Sequence, residues 1–176
     1  MSTFCRVITG VSGSPRNLQA LRYAAALARG QDAALIPVLA WVPPGGDVAD
    51  RRCPSGYLRR IWEQDAWDRL HDALDAAFGG PPSGVLTEPT VARGEAGRVL
   101  VREADRPGDL LVIGTGRHGG LGRLFSAQVS RYCLARAGCP VLAVPPTALE
   151  LAAGHSLHRW PFRHSGLNLI ELTAGR

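Results

Sequence analysis

Lysine is absent from the 176-residue sequence, and all 20 basic residues are arginine. Chemistry that depends on a lysine amine is therefore excluded: the phosphate clamp of a Walker A loop, a pyridoxal Schiff base and the strand lysine of a kinase. Cysteine is scarce as well. The four present (Cys5, Cys53, Cys133, Cys139) form no CxxC pair, so the expectation is buried free thiols, without disulfides or a zinc site. No apolar run approaches the length of a membrane span. The opening MSTFCRVITG has no charged stretch followed by an apolar one, so the expected location is the cytoplasm, with no membrane partner. The net charge of +5 is carried by arginines spread along the chain. A nucleic-acid footprint is a dense basic block, so no nucleic-acid partner is expected.

What is present reads as alternating strands and helices. The length suits one domain, residues 1–146, followed by an extension, 147–176, whose polar aromatic stretch HSLHRWPFRHSG fits no sheet pattern. A first strand is expected over Phe4 to Thr9. Ser14 and Pro15 then open a helix with Leu18, Leu21, Ala25 and Ala28 on one face and Gly30 at its end. Ala34 to Val42 is a second strand, although Pro37 suits an end or an edge better than a central position. Pro43 to Gly56 has no apolar period and is expected to be a long loop. Tyr57 to Phe78 is an amphipathic helix. Leu58, Ile61, Trp62, Leu70, Ala73, Leu74, Ala77 and Phe78 are placed on its core face, and Arg59, Arg60, Glu63, Asp68, Arg69 and Asp72 on its polar face. Val85 to Ala92 is a weaker strand interrupted by Pro89, and Gly94 to Gly97 opens a short helix with Val99, Leu100 and Ala104 inward.

The most informative stretch is Asp109 to Pro145. Leu110 to Ile113 is continuously apolar, as in a strand covered on both faces. A loop with Gly114, Gly116, Gly119 and Gly120 follows, then a helix with Leu124, Val129, Cys133 and Leu134 on one face, then the apolar run Val141 to Val144. Both apolar runs are expected to be buried between helix layers. Five strands and four helices in strict alternation predict an α/β fold: an open five-stranded parallel sheet with helices on both faces. Ligands of such sheets bind at the carboxyl ends of the strands, where the winding reverses. The Gly10 to Ser14 loop and the Gly114 to Gly120 loop both lie at that end.

Gly114 to Gly119 matches GxGxxG, but a dinucleotide site needs an acid roughly 20 residues on. No Asp or Glu occurs between Asp109 and Glu150. Gly10 to Ser14 falls short of a nucleophile elbow, which would require glycine at Ser14. His155, His158 and His164 have no Cys or carboxylate neighbours to complete a metal site, and His118 is the one histidine placed in the glycine loop. Near these loops there is no nucleophile pair, general base or carboxylate cluster, so no enzyme is expected.

The opening VITGVSGSPRNLQALRYAAALA and the closing VIGTGRHGGLGRLFSAQVSRYCLARAGCPVLAVP together resemble the universal stress protein (UspA) family over roughly residues 3 to 146. The resemblance implies the five-stranded α/β sheet and a homodimer paired through the last strand, Val141 to Val144. In one branch it also implies an adenine nucleotide, ATP or AMP, held between the two loops. That branch has Gly, two residues, Gly, nine residues, Gly, then Ser or Thr, beginning where strand four ends at Ile113. Here the first glycine is Gly114, the second position holds Arg117, the third Ala127, and the hydroxyl position Gln128, with Gly116 one place early. The family's acid after strand one falls on Ser12, next to Gly10 and Val11, while Val11, Ala40 and Trp41 would flank the base. Val129 and Ser130 follow at the helix start. Arg117, Arg123, Gln128 and Ser130 offer charge and donors, so the implied site is a degenerate adenine-nucleotide pocket, or one for another small anion, in a non-catalytic stress-response protein. The alternative is a ligand-free dimeric interaction module acting through its dimer surface and tail, with Trp160 and Phe162 across the partner.

Overall fold

Alternating side-chain direction along each strand divides the sheet's side chains between two apolar layers, and each layer is covered by its own pair of helices. The computed structural model describes residues 4–12, 18–52, 54–115 and 122–145; the side chains of residue 49 and of 122–127 lie outside that description. The elements run β1 (Arg6–Val11), α1 (Leu18–Gln31), β2 (Ala34–Trp41), α2 (Gly46–Arg52), α3 (Gly56–Phe78), β3 (Thr90–Arg93), α4 (Ala96–Glu103), β4 (Asp109–Gly114), α5 (Gly122–Arg136) and β5 (Val141–Val144). All five strands are parallel, in the order β3-β2-β1-β4-β5. The winding therefore reverses between β1 and β4.

Val7, Leu35, Leu110 and Val112 pack beneath the small residues Ala20, Ala24 and Ala28 of α1. Toward β2 the same layer continues as Val11, Leu21, Leu39 and Trp41 under Ala66, Leu70, Ala73 and Leu74 of α3. Ile8, Ile36, Val38, Leu111 and Ile113 point the other way, into Val99 and Leu100 of α4 and Cys133 of α5. Two covered faces are what allow β1, β2 and β4 to be apolar almost throughout.

The amino end of the sheet is closed by an ion pair. Arg6 donates from Nε to Asp109 Oδ1 at 2.8 Å and from Nη2 to Oδ2 at 2.6 Å, a bidentate contact between β1 and β4. Its Nη2 also reaches the Glu103 carbonyl at 3.0 Å, while the Arg106 N–H donates to Asp109 Oδ2 at 2.9 Å. The buried carboxylate thus has partners on both oxygens, which is the condition for carrying a charge out of water. Other arginines also serve as structural clamps: Arg22 donates to the Ala76 and Ala77 carbonyls at the end of α3, and Arg29 to the Ser83 carbonyl.

Several sequence expectations need correction. β1 lies two residues later than Phe4 to Thr9. α1 passes Gly30 to Gln31 and ends where Asp32 takes a left-handed conformation (φ 51°), which aspartate tolerates. Pro37 sits inside β2, between two strands. Its nitrogen faces the β3 side, in the interval between the Leu35–Thr87 bridge and the ladder that starts at Val38–Thr90, so no ladder bond is lost there. The region 43–56 is not all loop, since it contains α2, which makes five helices among the described residues. β3 is confined to Thr90–Arg93, after Pro89. Leu58, Ile61 and Leu134 are exposed instead of buried, and Arg59 turns toward a buried acid. β5 is an edge strand with Ala143 exposed, so only β4 of the two apolar runs is covered on both faces. Of the thiols, Cys133 is buried, Cys139 half-buried and Cys5 exposed.

Candidate functional site

Parallel pairing of β1 with β4 brings the ends of both strands to one edge of the sheet. Ser12 follows the end of β1 at that edge, and Ile113, Gly114 and Thr115 lie along the end of β4. The β4 end is held from two sides. The Thr115 N–H donates to the Val144 carbonyl at 2.8 Å, and its Oγ1 reaches the same oxygen at 3.3 Å. From α5, the Ser130 hydroxyl donates to the Gly114 carbonyl at 3.3 Å. That bond seats the helix against the strand end, with the helix starting at Gly122 and its positive dipole end toward the same edge.

The residues singled out from the sequence separate into three groups. Gly114 and Ser130 come together at the end of β4, and Ser12 is exposed just past the end of β1. Ile113, Ala40 and Val129 pack in the α4/α5 layer, and Val11 and Trp41 are buried in the α1/α3 layer. Gln128 is exposed on the first half of α5. Gly116 and Arg117 lie outside the described residues, as do His118, the side chains of Arg123, Leu124 and Ala127, and all of 146–176. Gly10 has a packing reason for being glycine: a Cβ there would meet Leu100 Cδ1 at 2.9 Å.

One side of the edge carries a charged cluster that the sequence did not reveal. Asp50 of α2 is buried. Arg59 donates from Nε to Asp50 Oδ1 at 3.2 Å and Oδ2 at 3.1 Å, with Nη2 2.9 Å from Oδ2. Arg93, at the end of β3, places its Nη2 2.9 Å from Asp50 Oδ2 and 2.6 Å from Asp47 Oδ1. Its guanidinium carbon lies 5.9 Å from the centre of the Trp41 ring, within cation–π range. The Arg59 hydrogen bond, helped by Arg93, holds the Asp50 carboxyl below its ordinary value against the opposing effect of burial. Asp47 and Asp50 raise Arg93 in turn. The cluster fixes α2 over the ends of β2 and β3, with every described charge in it paired.

Burial pushes the Cys133 thiol up to about 11 and raises Cys139 as well, so neither is a thiolate near neutral pH. Among the described residues no group of three or more His, Cys, Asp or Glu could hold a metal ion, and no helix is long and apolar enough to cross a membrane. A cleft of about 370 Å³ opens at the opposite, amino end of the sheet, lined by Ala28, Arg29, Asp32, Val85 and Leu86 among others. Its one arginine is already committed to the Ser83 carbonyl, and the strand end that lines it is the amino end of β2, at Ala34.

The class defined by these features is a parallel α/β protein with strand order 3-2-1-4-5 and its candidate site where the winding reverses. Within that class the chain belongs to the universal stress protein family, whose model matches residues 3–145. Among solved structures it is similar to a universal stress protein in complex with cAMP, at 25% identity and a TM-score of 0.52, over 82% of this chain and 98% of that one. It is also similar to UspA from Lactobacillus plantarum (16% identity, TM-score 0.57, 80% and 97% covered). A universal stress protein from Archaeoglobus fulgidus is similar too (21%, 0.51, 80% and 98%). The last two, being more distant in sequence, bear on the fold alone. No curated protein matches the chain.

Proposed function

We propose that this chain is a non-catalytic, cytoplasmic stress-response protein that binds an adenine nucleotide weakly at the carboxyl edge of β1 and β4. The observation that carries the reading is the Ser130 to Gly114 hydrogen bond, which ties the middle of α5 to the end of β4, with the start of that helix toward the same edge, where a phosphate would lie. The relative solved with cAMP supports an adenine ligand. Weakness is argued from the residues themselves. Ser12 stands where the family's acid would be, and Val11 and Trp41, the residues expected beside the base, are packed in the core. Calorimetry with ATP, AMP and inorganic phosphate tests it. The expected result is binding of ATP or AMP with Kd on the order of 0.1–1 mM, about 4–5.5 kcal/mol, and none of phosphate alone.

The burial of Val11 and Trp41 also favours a second reading, a module without a ligand that acts through its surfaces; absence of heat with any nucleotide at millimolar concentration would establish it over the first. In either reading the protein is a homodimer closed by β5. That strand is at the edge of the sheet, its sequence VLAV has no charge to discourage pairing, and a twofold copy would complete its backbone bonds. Sedimentation of the intact chain at micromolar concentration should give a dimer, and a monomer refutes it.

A further inference from the structure

Helix α2 is fastened to the rest of the molecule through charge. Val48 is 57% exposed, and none of the described side chains of α2 enters any of the apolar clusters that fill the two layers. Asp50 alone among them is buried, and its carboxylate is held by Arg59 and Arg93, which belong to α3 and β3. The link from β2 to this helix joins a stiff piece to a free one. Pro43 and Pro44 fix their own φ, and Gly45 and Gly46 follow, both left-handed (φ 80° and 76°). A Cβ at Gly46 would meet nothing within 4 Å, so backbone conformation and not packing favours glycine there. Two adjacent glycines at the start of a helix that buries no described apolar side chain make a hinge.

The helix lies beside the candidate site. In the order β4-β1-β2 the carboxyl ends stand in a row, and β2 is two strand spacings from β4, roughly 10 Å. A nucleotide with its phosphate at the end of β4 and its base extended over β1 would bring that base to the end of β2. That place is closed by α2, with Arg93 drawn to Asp50 and lying 5.9 Å from the centre of the Trp41 ring. On the other side of β4 there is only the edge strand β5, whose end is tied to Thr115. We propose that α2 is an autoinhibitory flap, latched by Asp50 between Arg59 and Arg93 and turning about Gly45 and Gly46, which must lift before a base can reach the end of β2. The inference rests on the nucleotide reading above and adds its regulation. A latch that is closed most of the time lowers the apparent affinity by the fraction of molecules that are open.

Calorimetry of ATP binding to the full-length wild type and to Asp50→Asn and Arg59→Gln variants tests this, with hydrogen exchange of 46–52 followed on the same proteins. Both substitutions loosen the latch, but one removes a negative charge and the other a positive one. A direct electrostatic effect on an anionic ligand would therefore move the two affinities in opposite directions, whereas the flap moves them the same way. ATP affinity should rise by about tenfold in Asp50→Asn and several-fold in Arg59→Gln, where Arg93 still holds Asp50. Exchange in 46–52 should be faster in both, and unchanged exchange in β1 and β4 shows that the fold is retained. Faster exchange with unaltered affinity overturns the flap and leaves the nucleotide reading intact. Opposite changes in affinity overturn it as well, as does exchange in 46–52 that neither substitution alters. If no form binds ATP, the nucleotide reading falls and the flap with it.

Discussion

Two aspartates are buried among the described residues, and they serve opposite ends of the sheet. Asp109 sits at the amino end, between β4 and the clamp of Arg6, whose side chain is only 17% exposed. Asp50 sits at the carboxyl end, and the two arginines that hold it are 42% and 34% exposed. The first pair joins two central strands and collects further bonds from the Glu103 carbonyl and the Arg106 N–H. The second fastens a short helix in which Asp50 is buried and Val48 is exposed. The same pairing of residue types therefore holds the frame at one end and an attachment to the frame at the other. Asp109 should behave as part of the folding unit, and Asp50 as a local fastening open to solvent ions.

The largest effect is expected at the frame. Asp109→Ala leaves Arg6 without its partner and should cost about 3–5 kcal/mol in urea unfolding, the usual penalty for breaking a buried pair from one side. A cost within the range of a surface substitution would break the contrast.

Next in size is Gly10→Ala, which forces a methyl against Leu100 and should cost about 1–3 kcal/mol. Restoration by Leu100→Val would show that packing against α4, and not ligand approach, keeps this position glycine. Failure to restore would return Gly10 to the site. Ser130→Ala removes the tie to the β4 end and should cost about 0.5–1.5 kcal/mol, together with a loss of nucleotide affinity that Ser130→Thr recovers.

The smallest global effect belongs to Asp50. Asp50→Asn should leave the urea midpoint nearly unchanged while hydrogen exchange in 46–52 accelerates. Salt near 1 M should do the same to the wild type, where the screening length falls to about 3 Å. The pH response follows from the sign of the shift. A carboxylate lowered by Arg59 contributes its stabilisation fully above the unfolded value of 3.8, and loses it as pH falls through the lower folded value. Protection of α2 should therefore persist at pH 5 and vanish in strong acid; loss between pH 5 and 7 would point to a different group.

The same contrast explains what could be read from the sequence. Strand and helix order, the two-sided burial of β4 and the inward face of α4 follow from local periodicity, because their apolar residues repeat at the period of the element they occupy. α2 could not be seen that way. Its sequence GDVADRR has no apolar face, and its stability comes from Arg59 and from Arg93, forty-odd residues on. Leu58 and Ile61 precede the buried stretch of α3 that begins at Ala66, and Ile61 stands on the far side of the helix from Ala66 and Leu70, which the spacing of three between Leu58 and Ile61 does not reveal. At the site, alternation along β2 already carried the signal that Trp41 shares a face with Leu39 and Leu35, and so points into the α1/α3 layer. Nothing local shows that Leu100 fills the space above Gly10, since that contact joins elements far apart in the chain.

Hydrogen exchange of the full-length protein, with and without saturating ATP, tests the central claim most directly, namely that the ligand sits at the carboxyl edge of β1 and β4. Protection is predicted at residues 10–12, 113–115 and 128–131, with the Arg6 and Asp109 end unchanged. Protection at the opposite end, around the cleft of Arg29, Asp32 and Leu86, or none anywhere, would contradict it.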